Sequence, residues 1–190
     1  MSELKDSNTD LKPETLKTLA RNIQAGDHQA FKELFFLLHN PLCRFAASYT
    51  NNHHIAEEFV QDVFTYVWEN RNNWNPDNVK SWLYTSVRNK ALDHLKHINV
   101  REKNMRFVRD SYQNDKETPE QSLHTKNFEM AIEAAIKGLP DRCRNTYLLH
   151  RRENFSYSEI AEIMAVSVKT VESQMSRALM LLRDELEEYL

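Results

Sequence analysis

Two groups of neighbouring residues carry side chains that could do acid–base or metal chemistry. One is the carboxylate pair Glu57 and Glu58, and the other combines Asp93 with His94 and His97. Adjacent positions on a helix point about 100° apart, so the two glutamates make a poor acid–base pair. A histidine pair three residues apart, without a convincing third ligand, is more often a solvated or phosphate-facing surface than a metal site. We therefore expect no enzyme activity, no metal and no cofactor.

A stronger signal is the opposite charge of two neighbouring segments. Residues 55–70 carry four acids and no lysine or arginine, whereas residues 79–106 carry seven bases and two acids, a net charge of +5. An asparagine-rich loop with Trp74 precedes the basic segment, which itself contains Trp82 and Tyr84. Basic groups beside aromatic rings are typical of surfaces that hold a nucleic-acid backbone and stack unpaired bases. The alternative is that the lysines are merely solvated and the tryptophans belong to the core, which is the better interpretation for each tryptophan alone.

The most specific pattern of the second half spans residues 157–177 and predicts a helix-turn-helix. Apolar residues at 160, 161 and 164 form the inner face of a short helix, and those at 171, 175 and 178 anchor a second one. Ser167 in the turn can cap the second helix, and Ala165 stands where this motif often carries glycine. The alternative is an ordinary helical hairpin with a solvated polar face. The outward positions are polar groups able to reach base edges and phosphates in a major groove: Lys169, Thr170, Glu172, Ser173, Gln174, Ser176 and Arg177.

The elements that must position these groups are predicted to be helices. The chain has only 2 glycines in 190 residues, which disfavours hairpins and phosphate-binding loops, and good helix formers dominate. We expect an all-α protein of two small helical domains joined by a flexible linker. The predicted divisions are an N-terminal extension and helix at 1–26, a first domain at 27–108, a linker at 109–122 with little to bury, and a second domain at 123–190.

Local signals mark where the helices begin and end. Pro13 is predicted to start a helix that Gly26 ends, and Pro41 is predicted to break the next one. The patterns at residues 118–121 and 156–159 predict capping boxes. The polar start and the absence of long apolar runs predict a cytoplasmic protein with no membrane insertion, and the two distant cysteines fit a reducing compartment.

Two long segments resemble a known family. The stretches AEEFVQDVFTYVWENR (56–71) and VKSWLYTSVRNKALDHLKH (79–97) resemble region two of sigma factors of the sigma-70 family. LPDRCRNTYLLHRRENFSYSEIAEIMAVSVKTVESQMSRALMLLR (139–183) resembles their region four. The linker is too short for the central domain of housekeeping members, which points to the extracytoplasmic-function (ECF) group. The amino-acid sequence of region four is similar to versions common in Bacteroidetes.

The resemblance implies roles for particular residues. A transcription initiation factor of this kind binds core RNA polymerase and directs it to promoters. The polymerase-binding face would comprise Glu57, Glu58, Gln61, Asp62 and Glu69. Contact with the minus-ten element, and help in holding it open, would fall to the loop and the basic helix: Asn72, Asn73, Trp74, Asn75, Asn78, Trp82, Tyr84, Arg88, Asn89, Asp93 and Lys96. The minus-thirty-five element would be read as duplex by the outward residues of the helix-turn-helix with Ser167, and Arg151 and Arg152 would meet phosphates or the polymerase flap.

Partners are implied by the same resemblance. Core RNA polymerase and promoter DNA are expected, together with an anti-sigma factor that masks the polymerase-binding face or the recognition helix. A conventional helix-turn-helix regulator, with an N-terminal sensor or dimer domain, is the alternative that the sequence leaves open.

Overall fold

The computed structural model describes residues 12–74, 77–104 and 125–187, without the side chains of 99–104 and 125–129. Within these ranges every regular element is a helix, so the predicted all-α class is confirmed. The elements in chain order are α1 (Pro13–Gln24), α2 (His28–Thr50), α3 (His53–Glu69), a single 3-10 turn (Arg71–Asn73), α4 (Val79–Asn104), α5 (Thr125–Gly138), α6 (Asp141–Arg151), α7 (Tyr157–Met164) and α8 (Val168–Glu185). The predicted linker and its capping box at 118–121 lie outside the described residues.

The chain divides into two compact units, the first holding α1 to α3 with α4 as far as His94, and the second holding most of the remaining chain. In the first unit α1 and α3 both pack against α2. Asp27 caps α2 by accepting hydrogen bonds from the amides of Gln29 (2.8 Å) and Ala30 (3.2 Å). Apolar residues recur along one side of α3 and five of them are buried, and the ring of Phe64 meets that of Phe35 with centroids 5.0 Å apart.

The predicted break at Pro41 is wrong, because α2 continues through it from His28 to Thr50. A proline inside a helix removes one backbone hydrogen bond and costs about 3 kcal/mol or more. Leu38, Leu42 and Phe45 on either side of it are buried, and each such side chain contributes about 1.5–3 kcal/mol on burial. Burial of the flanking residues therefore outweighs the local penalty.

In the second unit α5, α6 and α8 share a small core that includes Leu139, Cys143 and Leu182. Helix α5 ends at Gly138, and α6 begins directly after Pro140, which cannot continue a helix from the preceding turn. The capping box at the start of α7 is also present: the Ser156 amide donates to Glu159 Oε2 over 2.8 Å, and the Glu159 amide donates to Ser156 Oγ over 3.3 Å.

The helix-turn-helix is confirmed as α7, a three-residue turn and α8. Ala165 lies in the left-handed region at φ +52°, and the Val166 amide donates to the Ala161 carbonyl over 3.0 Å, which is a Schellman-type end. Ser167 then caps α8 by accepting from the Thr170 amide over 3.1 Å. This turn fixes where α8 starts and which of its side chains face outward. Within the described ranges, no helix has the length and apolar character needed to cross a bilayer.

Candidate protein and nucleic-acid interfaces

One face of α3 is acidic and open to solvent. Four polar side chains of this face are exposed, at spacings of three, one and seven residues that place them on the same side of the helix: Glu58, Gln61, Asp62 and Glu69. Glu57 is half-buried and lies 3.2 Å from His53 and 3.9 Å from His54. We call Glu57, Glu58, Gln61, Asp62 and Glu69 the acidic face. Since α3 contains no lysine or arginine, this face is suited to a basic protein surface.

An ion pair joins the acidic helix α3 to the basic helix α4. Lys90 Nζ lies 2.8 Å from Asp62 Oδ2, and both side chains are substantially exposed. Such a surface pair contributes at most about 1 kcal/mol. The pair shows that the negative charge of α3 and the positive charge of α4 lie on neighbouring surfaces.

A cleft of about 500 Å³ separates α3 from α4 next to this ion pair. Tyr66 of α3 and Trp82 of α4 stack across it, with ring centroids 6.0 Å apart and planes inclined by 21°. Tyr66 is 54% exposed and is absent from the residues that the sequence pattern predicts. Its outward position, four residues after Asp62 on the polar side of α3, is the sequence signal that would have identified it.

The structure places two predicted base-stacking residues in the core. Tyr84 is completely buried and packs against Phe45 with centroids 5.0 Å apart. Trp74 is 6% exposed and meets Trp82 edge-on at 5.8 Å. Neither ring offers a face to a base in this conformation. The core interpretation therefore holds for Trp74, and Tyr84, which the sequence pattern predicted at the DNA surface, belongs to the core as well. Trp82 is half-buried and keeps part of its ring at the surface.

The polar residues of the loop and of α4 are more accessible. Asn72, Asn73 and Asn78 are exposed, and Asn75 lies outside the described residues. On α4, Asn89, Asp93 and Lys96 are accessible at spacings of four and three, so they line one side of the helix. Arg88 is half-buried and donates from Nη1 to Asn89 Oδ1 over 3.3 Å. Within the described ranges no group of three or more histidine, cysteine or acidic side chains could hold a metal ion.

On α8 the predicted reading residues fall into two sets. Thr170 and Gln174 are half-buried and engaged: Thr170 is part of the cap with Ser167, and Gln174 accepts a hydrogen bond from Thr146 over 2.7 Å. The other set projects into solvent and consists of Lys169, Glu172, Ser173, Ser176 and Arg177. Arg151 and Arg152, at the end of α6, are exposed as well. The surface available to a DNA groove is therefore smaller than the sequence pattern alone suggested.

Comparison with known proteins places both units in one family. Residues 34–99 match sigma-70 region 2, and residues 129–182 match sigma-70 region 4. The chain is 29% identical over 144 residues to the ECF RNA polymerase sigma factor SigE of Mycolicibacterium smegmatis, a match that covers 75% of this chain and 56% of that relative. It is 30% identical over 149 residues to RNA polymerase sigma factor SigV of Bacillus subtilis, covering 75% and 82%.

A solved structure agrees in fold. The sigma factor RpoE of Bartonella quintana, crystallised in complex with the anti-sigma factor NepR, superposes with a TM-score of 0.62 at 26% identity over 83% of this chain and 96% of that one. The fold is thus that of a two-domain transcription initiation factor. The ECF RNA polymerase sigma factor EcfG of Rhodopseudomonas palustris is 30% identical over 139 residues, covering 70% of this chain and 72% of that relative. The chain belongs to the ECF group of the sigma-70 family of RNA polymerase sigma factors.

Proposed function

We propose that this sigma factor binds core RNA polymerase through the acidic face of α3. The observation that carries the proposal is the row of exposed carboxylates Glu58, Asp62 and Glu69 on a helix without lysine or arginine. A row of one charge on one helix favours a partner surface of the opposite charge and fixes its register. Through this attachment the protein directs the polymerase to promoters.

The minus-ten element is recognised by the loop before α4 and by the exposed side of α4. Asn72, Asn73 and Asn78 supply donors and acceptors for bases, and Lys96 supplies charge for the backbone. Unstacking a base costs a few kcal/mol, which an aromatic surface offsets, and Trp82 is a ring of α4 that reaches the surface. Trp74 and Tyr84 contribute by holding the loop and the helix in place from the core.

The minus-thirty-five element is read by the exposed residues of α8. Between Arg144 and Arg183 the chain carries six bases and four acids, a net charge of +2. Nonspecific affinity for DNA rises with the number of phosphates neutralised, so this unit binds duplex weakly by itself. Tethering two weak modules to one polymerase raises the effective concentration of each at the promoter. Promoter affinity therefore arises in the holoenzyme.

An anti-sigma factor is the remaining partner in this proposal. The B. quintana sigma factor is solved with such a protein, and a partner that covers the acidic face or α8 would keep this chain from polymerase or DNA. Polymerase and DNA place the activity in the cytoplasm, without membrane insertion. The amino-acid sequence of region four supports an origin among the Bacteroidetes.

Run-off transcription with purified core polymerase tests the central claim. The variant Glu57→Lys/Glu58→Lys/Asp62→Lys should lower affinity for core polymerase by about 10-fold or more and abolish promoter-specific transcripts. The matched control Glu33→Lys/Glu133→Lys/Glu185→Lys makes the same charge change at exposed positions elsewhere and should retain both. Full attachment and unchanged start sites with the acidic-face variant would contradict the proposal.

A gel-shift assay tests the tethering argument separately. The free protein should bind a promoter fragment weakly at physiological salt, and the holoenzyme should bind it tightly. Tight, sequence-specific binding by the free protein would show that tethering is unnecessary.

A further inference from the structure

We propose that helix α1 is a positioning element for minus-ten recognition, acting through Lys17 and Gln24 on the loop between α3 and α4. The inference rests on the proposed function, because it assigns a task to α1 only if that loop reads promoter bases. It goes beyond the family match, which begins at residue 34 and does not include α1.

Two contacts connect α1 to the loop, and each of them lies beside an exposed asparagine. Lys17 Nζ lies 2.6 Å from Asp77 Oδ1, and Gln24 Nε2 donates to the Trp74 carbonyl oxygen over 2.5 Å. Trp74 directly follows the 3-10 turn that carries Asn72 and Asn73, and Asp77 directly precedes Asn78. The exposed asparagines therefore sit next to backbone that α1 holds.

Charge on the same side of α1 reinforces the contact with Asp77. Lys17, Arg21 and Gln24 follow one another at spacings of four and three, so they share one side of the helix. The hydrogen bond and charge of Lys17, with a smaller contribution from Arg21, hold the pKa of Asp77 below its ordinary value of 3.8. A carboxylate that stays ionised keeps the pair intact at neutral pH.

Helix α1 is itself held in place because its other side is part of the core. Leu16, Ala20 and Ile23 are buried, and α1 packs against α2. The Trp74 side chain is buried too, so the loop is held by its indole, its carbonyl and the Asp77 carboxylate. An exposed ion pair adds little stability. The pair of Lys17 with Asp77 instead holds the loop in position, because a recognition group must be kept within about 0.5 Å of its productive position.

Base discrimination is the readout that separates positioning from general stability. Holoenzyme with each variant transcribes a promoter fragment and templates carrying single-base changes in its minus-ten element. Lys17→Glu and Gln24→Leu should each lower the ratio of preferred to changed template by about threefold or more. Affinity for core polymerase and the unfolding midpoint should stay at wild-type values. Lys12→Glu makes the same charge change at the exposed start of α1 and should keep the wild-type ratio.

A charge swap provides the rescue. Lys17→Glu combined with Asp77→Lys rebuilds the pair with its signs exchanged and should restore most of the lost discrimination. Three outcomes would each overturn the inference. The template ratio could stay unchanged in both single variants, or transcription could fall equally on every template. The charge swap could also fail to restore the ratio. Failure of the proposed function looks different, because the wild-type protein would then give no promoter-specific transcript.

Titration of the Asp77 carboxyl by NMR checks the contact itself. Its midpoint should lie below 3.8 in the wild-type protein and rise in Lys17→Met, which removes the hydrogen bond and charge that lower the pKa most. A depressed pKa means that the pair contributes stability above pH 3.8 and loses it as the pH falls through the folded value. Equal midpoints in the two proteins would show that Lys17 does not hold Asp77 in solution.

Discussion

The hydroxyl group of Thr146 in α6 donates a hydrogen bond to the side-chain carbonyl of Gln174 in α8 over 2.7 Å. Thr146 is completely buried and Gln174 is half-buried. A glutamine reads adenine by using its carbonyl and its amide together, and here the carbonyl is already engaged. Gln174 therefore sets the position of α8 on α6, while its exposed neighbours remain available to DNA.

This bond should be measurable as a coupling energy. Thr146→Val and Gln174→Leu are each expected to destabilise the protein by about 1 kcal/mol, because each leaves one buried polar group without its partner. The double variant should cost less than the two single variants added together, and urea unfolding measures all three. Ser173→Ala, an exposed neighbour, is the control and should change stability by less than about 0.5 kcal/mol. Strictly additive effects would show that the two side chains do not interact.

The turn of the helix-turn-helix offers a stabilising substitution. Ala165 adopts φ +52°, a region that costs a residue with a Cβ about 1–2 kcal/mol. Ala165→Gly should raise the free energy of unfolding by about 0.5–1 kcal/mol after the greater entropy of the unfolded glycine is subtracted. Ala134→Gly on the exposed side of α5 is the same chemical change in a helix and should lower stability by about 1 kcal/mol. Thermal unfolding that moves the same way in both variants would contradict this explanation.

Much of the fold is predictable because its signals are local. Gly26 and the capping box at Ser156 mark helix ends by their own chemistry, and the apolar spacing of α3 specifies its buried side. Pro41 shows the limit of such signals. Its local preference for ending a helix is outweighed by apolar neighbours whose burial depends on the rest of the unit.

The sequence predicts which segments form the candidate interfaces, but it predicts less well what each side chain in them contacts. Sequence periodicity gives a direction for each residue but not its tertiary partner, so the pattern predicts a DNA contact at Gln174 where the structure shows a bond with Thr146. Tyr84 is followed by polar residues and carries a hydroxyl group, which masks its place in the core. The contact of Lys17 with Asp77 joins residues 60 positions apart and has no signature in either segment alone.

Cys43 should be an unreactive thiol in the folded protein. It is 1% exposed in α2, and burial, helped by the charge of Glu57, raises its pKa from 9.0 to about 11. The thiolate is the nucleophile, so iodoacetamide at pH 8 should leave native Cys43 unmodified and label it in urea. Peptide mass spectrometry distinguishes it from Cys143.

The same shift predicts the direction of a pH effect. A folded pKa above the unfolded value gives a contribution to stability that is present below pH 9.0 and is lost as the pH rises towards 11. Cys43→Ser is not a neutral control, because it buries a hydroxyl group, so Cys43→Ala is preferable. The part of the alkaline decline that the alanine variant lacks is the contribution of Cys43, and identical declines would contradict the prediction.

Truncation of Tyr84 and truncation of Trp82, two residues apart on α4, should have different effects. The first should lower stability, and the second should shorten the lifetime of open promoter complexes. Tyr84 is completely buried, so Tyr84→Ala should lower the free energy of unfolding by about 3–5 kcal/mol, and any loss of transcription should follow the loss of folded protein. Trp82 is half-buried and stacks on Tyr66 at the surface, so Trp82→Ala should shorten the lifetime of open promoter complexes through a loss of about 1–3 kcal/mol of base stacking. Urea unfolding gives the first quantity and heparin-challenge decay of preformed complexes gives the second. Tyr84→Phe and Trp82→Phe retain aromatic rings and should recover most of each loss. Open complexes that decay at the wild-type rate with Trp82→Ala would remove this ring from minus-ten recognition and leave the exposed asparagines of the loop to carry it.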